Sequence, residues 1–165
     1  MKSISIKFGR EELIYDITNL AYVEGDILPE DAQYIRNQII EINEKGNRDR
    51  VSRVLNMAYA VLDQILSTFT KQAVVDGAAL DNQLTEPAEY VFNMNVPDAF
   101  TEQGHKLLQE LINEYFVAAV LYDWLKIHNP KSAEKWRIRL EELTILIKTA
   151  MNARGGITRR KMSPF

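Results

Sequence analysis

Between Thr101 and Asn129 lies a segment of helical length whose centre is apolar on nearly every side, and no other feature constrains the fold so strongly. Tyr115-Phe116-Val117-Ala118-Ala119-Val120-Leu121-Tyr122 runs for more than two helical turns without a charged residue. A helix of this kind has no face to give to water, so it belongs in the middle of a bundle with neighbours on most sides. Thr101 with Glu102 opens the segment, and Pro130, which lacks a backbone donor, forces a break after it. The longest apolar stretch, Tyr115 to Leu125, is interrupted by Asp123 and falls well short of the roughly 18 residues of a membrane span.

The neighbours that such a helix requires are legible in the spacing of apolar residues. Val51, Val54, Leu55, Ala58, Val61, Leu62, Ile65 and Phe69 form a broad stripe, predicting a helix from Asn47, which can cap it, to about Val75. Trp136, Leu140, Leu143, Ile147 and Met151 form the core face of a fifth helix, capped by Ser132 and ended by Gly155-Gly156. Ile138 and Ile145 lie on a second face of that helix. Nearer the start, Leu13, Ile14, Ile17, Leu20 and Ala21 share a helical face until Gly25 stops the run. Pro29-Glu30-Asp31 opens a further helix carrying Ile35, Ile39 and Ile42, with Gly46 as its C-cap.

Two short segments have period two. Ile4, Ile6 and Phe8 alternate with Ser3, Ser5 and Lys7, and Tyr90, Phe92, Met94 and Val96 alternate with Val91, Asn93 and Asn95. The two strands can pair, but a lone pair is marginal unless a helix covers it or a neighbour extends it. Asp76 to Pro87 reads as an acidic loop. The expected fold is therefore mainly α: about five helices in a bundle-like domain over residues 1–153, with a small two-stranded β element, followed by an arm over 154–165.

Charge is unevenly spread along this plan. The net charge is −3, yet Arg154, Arg159, Arg160 and Lys161 fall in the last fifteen residues with no acid among them. An acidic body thus ends in a basic arm tipped by Met162 and Phe165. Apolar residues at the tip of a short arm gain free energy only if a pocket receives them. The arm is accordingly read as a partner-binding element, with Arg154, Arg159, Arg160, Lys161, Met162 and Phe165 as its contacts.

Residues that could carry chemistry are sparse. There is no cysteine, so disulfides and thiolate chemistry are excluded. Glu102 and His105 make one Glu-x-x-His, whereas a di-iron bundle needs two, and Leu125 occupies the matching position before His128. Glu110 and Glu114 are four apart, with Asp123 on the same helix, but helix surfaces carry such carboxylates routinely. No Gly-x-Ser-x-Gly elbow, phosphate-binding glycine loop or calcium-loop order is present. Trp124, Trp136, Tyr115, Tyr122 and Phe116 have the spacing of core residues. The chain is expected to be soluble, with no cofactor, small-molecule substrate, membrane partner or enzymatic activity.

Leu108 to Val117, Val120 to Leu125, Trp136 and the closing Arg159-Arg160-Lys161-Met162-Ser163-Pro164-Phe165 resemble small helical neck proteins of tailed bacteriophages. The likeness is to the ring-forming head-to-tail connectors of crAss-like phages, chiefly over residues 100–165, with weaker support from Asn47 to Phe69. The resemblance implies a structural virion protein, assembled in the host cytoplasm into a ring of about twelve copies beneath the portal. It would bridge portal and tail and help retain packaged DNA, which the ring's lumen could touch. It also implies that the arm contacts the next ring or copy, and that Ile138 and Ile145 pack between subunits. Ile4 and Ile6 belong to the same expectation through an exposed edge of strand 3–8 that a neighbour's sheet could extend. Ring contacts join unlike patches, and an acidic body with a basic arm supplies two. The rival reading is a nucleic-acid-binding helical module with the arm on phosphates, although the acidic body would be repelled by DNA.

Overall fold

The computed structural model describes residues 1–70 and 84–152. Along the chain it runs β1 (Lys2–Gly9), α1 (Arg10–Asp26), α2 (Gln33–Ile40), α3 (Lys45–Leu66), β2 (Glu89–Val96), α4 (Glu102–His128) and α5 (Pro130–Met151). The expected mainly helical architecture, with five helices and a two-stranded sheet, is what forms.

The central helix is where its composition demands. Ile112, Phe116, Ala118, Leu121 and Leu125 of α4 are fully buried, and Tyr115, Val117, Val120 and Trp124 nearly so. α5, joined to α4 through Asn129 alone, packs back along it, and α3, α1 and α2 also pack against α4. The sheet lies over this core. β1 and β2 are antiparallel in the register Lys2↔Val96 to Gly9↔Glu89, so Ile6, Phe8, Tyr90, Phe92, Met94 and Val96 all point inward. Phe92 and Phe8 meet Phe116 of α4 at ring separations of 6.4 and 5.7 Å, within the range of favourable aromatic pairs. A helix therefore covers the otherwise marginal strand pair.

Several boundaries differ from the sequence reading, each for a local reason. Gly25 is the penultimate residue of α1, which ends at Asp26, and it is buried. A Cβ built there would meet Ile40 Cγ1 at 2.9 Å and the Arg36 carbonyl oxygen at 3.3 Å. The glycine thus stands at the helix end and also serves the close approach of α2. The expected single helix through Ile42 is an α-helix of only eight residues between 3₁₀ turns at Glu30–Ala32 and Glu41–Asn43. Gly46 is no C-cap, since it sits in the first turn of α3 with nothing within 4 Å of its missing Cβ. Asn47 likewise caps nothing, and its Nδ2 instead donates to the Glu41 carbonyl at 2.8 Å.

α3 ends at Leu66 rather than about residue 75; residues 71–75 lie outside the described residues. The chain turns there because Phe69 offers its carbonyl to the Asn95 N–H of β2 at 2.9 Å. Pro130 breaks the chain, as expected, but also begins α5 at its first position, with Asn129 at the N-cap. Ser132 is inside the helix and its Oγ accepts from Asn129 Nδ2 at 3.0 Å. The Thr101 cap forms as read, with its hydroxyl accepting from the Gly104 N–H.

Three substitutions test this packing by chemical denaturation. Phe116→Ala removes the ring shared by sheet and bundle and should cost about 3–5 kcal/mol. Gly25→Ala should cost about 1–3 kcal/mol through the clash with α2. Gly46→Ala, in open helix surface, should be neutral or stabilise by up to about 1 kcal/mol.

Candidate interaction surfaces

Ile138 and Ile145 are seven residues apart and stand on the solvent side of α5, 45% and 66% exposed. The opposite side of the helix buries Leu143 and Ile147. Charges frame the two isoleucines in fixed pairs. Arg137 is bound by both Glu134, at 2.5 Å, and Glu141, and Arg139 pairs with Glu142 at 3.6 Å. The cations beside this apolar strip are therefore already paired before any partner arrives.

The strand candidates divide. Ile4 is half-buried at the margin of the core. Ile6 is 1% exposed, which corrects its assignment as a subunit contact: its side chain is spent on the fold of its own chain. The backbone edge remains. On β2, the outward Asn95 N–H and Val91 carbonyl are taken by Phe69 and by the Tyr59 hydroxyl. The outer edge of β1 has no backbone partner among the described residues. Arg154, Arg159, Arg160, Lys161, Met162 and Phe165 lie outside the described residues.

A second apolar surface went unread in the sequence. Tyr15, Tyr22 and Val23 of α1, Ile27 just beyond it and Tyr34 of α2 are 50–75% exposed. The signal was present: Tyr15 and Tyr22 are seven apart and lie off the face formed by Leu13, Ile14, Ile17 and Ala21. Large aromatic rings exposed at positions open to any polar residue are typical of protein interfaces.

Over α4, alongside α1, runs a groove in two adjoining depressions, the second of which opens between α1 and α5. Toward β1 it is lined by Lys7, Gly9, Glu12, Glu110 and Asn113. Further along it is lined by Leu20, Glu114, Lys135, Trp136 and Arg139, enclosing about 400 Å³. Asn113 reaches Asp16 across it at 3.5 Å, the long limit of a hydrogen bond. Its far end is tied shut by Glu24 of α1, only 5% exposed, which accepts from Lys135 Nζ at 2.5 Å and from Trp136 Nε1 at 3.2 Å. Two donors compensate that buried carboxylate, which would otherwise be costly.

The carboxylates singled out for acid–base chemistry are not assembled for it. Glu110 and Glu114 are exposed, Asp123 is bound to Arg50 at 2.8 Å, and Glu102 pairs with Lys106 at 3.2 Å. No group of three or more potential metal ligands occurs among the described residues. The buried Arg10 and Ser52, with the exposed Glu86, form a structural tie. Arg10 Nη2 donates to Ser52 Oγ at 2.5 Å and to Glu86 Oε1 at 3.1 Å, joining α1, α3 and the approach to β2.

A scan of protein-family models, a search of curated proteins and a search of solved structures each returned no match to this chain. Its function therefore has to be argued from its own surfaces.

His128, at the end of α4, packs its ring 4.4 Å from that of Trp124. Burial, and then the nearby Arg50 guanidinium, lower its pKa from the ordinary value. The unfolded chain thus takes up this proton more readily than the folded one. The associated stability is intact above the unfolded value of about 6.5 and is lost as pH falls through the folded value. The thermal midpoint should drop between about pH 7.5 and about pH 5.5, and drop less in His128→Gln.

Proposed function

We propose that this chain is a structural subunit of a protein assembly, and specifically a ring-forming subunit of a phage head-to-tail connector beneath the portal. The observation that carries the reading is a pair of unlike apolar surfaces left exposed by a completed core. One is the aliphatic strip of Ile138 and Ile145 on α5, and the other the aromatic corner of Tyr15, Tyr22, Ile27 and Tyr34 on α1 and α2. A contact between different patches on successive copies is heterologous, and such contacts close into a ring when the rotation per subunit allows. In this arrangement the α5 strip of one copy meets the α1–α2 corner of the next.

The arm with Arg154, Arg159, Arg160, Lys161, Met162 and Phe165 supplies a further contact, to a neighbouring copy or to the portal and tail proteins above and below. Its cations also make it the part of the chain best suited to face packaged DNA in a lumen.

Native mass measurement and electron microscopy of the purified chain, alone and with its adjoining portal or tail protein, test the reading. Closed rings of fixed copy number are expected. Ile145→Asp should abolish them while shifting the unfolding midpoint little, because the side chain is exposed in the monomer. Deleting 154–165 should leave unfolding nearly unchanged but prevent assembly with the partner ring. A chain that stays monomeric under all these conditions would refute the ring assignment.

A further inference from the structure

The groove between α1 and α5 has two chemically distinct ends. Toward β1 stand Glu12 of α1 and Glu110 of α4, and four residues further along each helix stand Asp16 and Glu114, the latter lining the second depression beside Lys135 and Arg139; each pair shares a face. None of the four has a cation within salt-bridge distance among the described residues. The ion pairs of these two helices engage other carboxylates: Glu11, Glu24, Asp26, Glu102 and Asp123. At the other end Leu20 and Trp136 offer apolar surface. The cations there are already satisfied, Lys135 by Glu24 and Arg139 by Glu142. Lys7 lines the same depression, but four carboxylates against one lysine leave this stretch net negative, so it favours a cationic occupant.

One segment of this sequence has the matching order of charge and apolarity. Arg159-Arg160-Lys161 is followed at once by Met162 and, three residues on, by Phe165, with no acid in the last fifteen residues. The lengths agree as well. Glu12 to Leu20 spans eight residues of helix, about 12 Å at 1.5 Å per residue. Arg159 to Phe165, if extended, reaches about 20 Å, enough to set its cations on the carboxylates and its tip on Leu20 and Trp136.

We infer that the groove over α4 between α1 and α5 is the docking site for residues 159–165 of a neighbouring copy. The three cations meet Glu12, Asp16, Glu110 and Glu114, and Phe165 covers Leu20 and Trp136. Taking the segment from a neighbour rests on the ring reading above, whereas the match of groove to segment does not.

Because the chain has no cysteine, single introduced thiols report this contact directly in the full-length protein. A tagged chain carrying Glu110→Cys is mixed with an untagged chain carrying Arg160→Cys and gently oxidised, with Ala60→Cys, exposed on α3, as the control partner. The inference expects a mixed disulfide dimer in yield about tenfold above the control, as raised effective concentration at a docked site gives. Adding Glu114→Lys to the acceptor should bring the yield back toward the control. A yield equal to the control, in a protein that still forms rings, would overturn the docking site and leave the ring reading standing. Disulfide formed only within a chain carrying both cysteines would mean that each copy fills its own groove. That result would overturn the neighbour assignment and remove the arm from the ring's contacts.

Discussion

The burial of α4 is the interaction on which every other element depends. Its middle turns present apolar side chains in all directions, and the transfer of that surface from water is the largest favourable contribution available to a chain of this size. Each neighbouring element takes one sector. α5, α3, α1 and α2 each pack against it, and the sheet lays Phe8, Tyr90 and Phe92 against Phe116. Without this ring of neighbours the strand pair would have no cover and α2, at eight residues, would be too short to persist in water.

Apolar burial is non-directional, so it does not by itself fix how the neighbours are rotated and offset. A few buried polar ties do that. Trp124 on α4 donates its indole N–H to the Ile39 carbonyl of α2 at 3.1 Å. Arg10 reaches Ser52 and Glu86, locking the β1–α1 junction to α3 and to the entry of β2. Glu24 holds the end of α1 to the start of α5 through Lys135 and Trp136. Each tie would leave a buried polar group unsatisfied in a shifted arrangement, and that penalty selects one packing among many with similar hydrophobic gain.

The same logic frames the surface. A core that is complete within the chain still leaves Ile138, Ile145 and a group of tyrosines in solvent, where the fold gains nothing from them. Scattered exposed apolar residues are ordinary, but here they gather on α5 and on α1 and α2, and the groove over α4 bears carboxylates with no ion-pair partner among the described residues. Adhesive surfaces and a charged groove suit a subunit that binds other proteins, which is the basis of the connector reading.

By itself the sequence determined the helix count, the two strands, the central place of residues 102–128 and the position of Ile138 and Ile145 on a second face of their helix. Those features follow from periodicity, which is a local property of the chain: side chains repeat every 3.6 residues in a helix and every two in a strand. Tertiary structure alone decided the rest. That Gly25 at the end of α1 also admits a neighbour depends on how closely α2 approaches, and where α3 stops depends on a carbonyl that β2 requires. Ile6 and Ile138 are indistinguishable as residues, yet one is enclosed by the sheet and bundle and the other is bathed in water. The groove, too, exists only because α1 and α5, distant in sequence, flank the same helix. Contacts between distant segments cannot be read from spacing, since they are set by which packing satisfies the most buried groups at once.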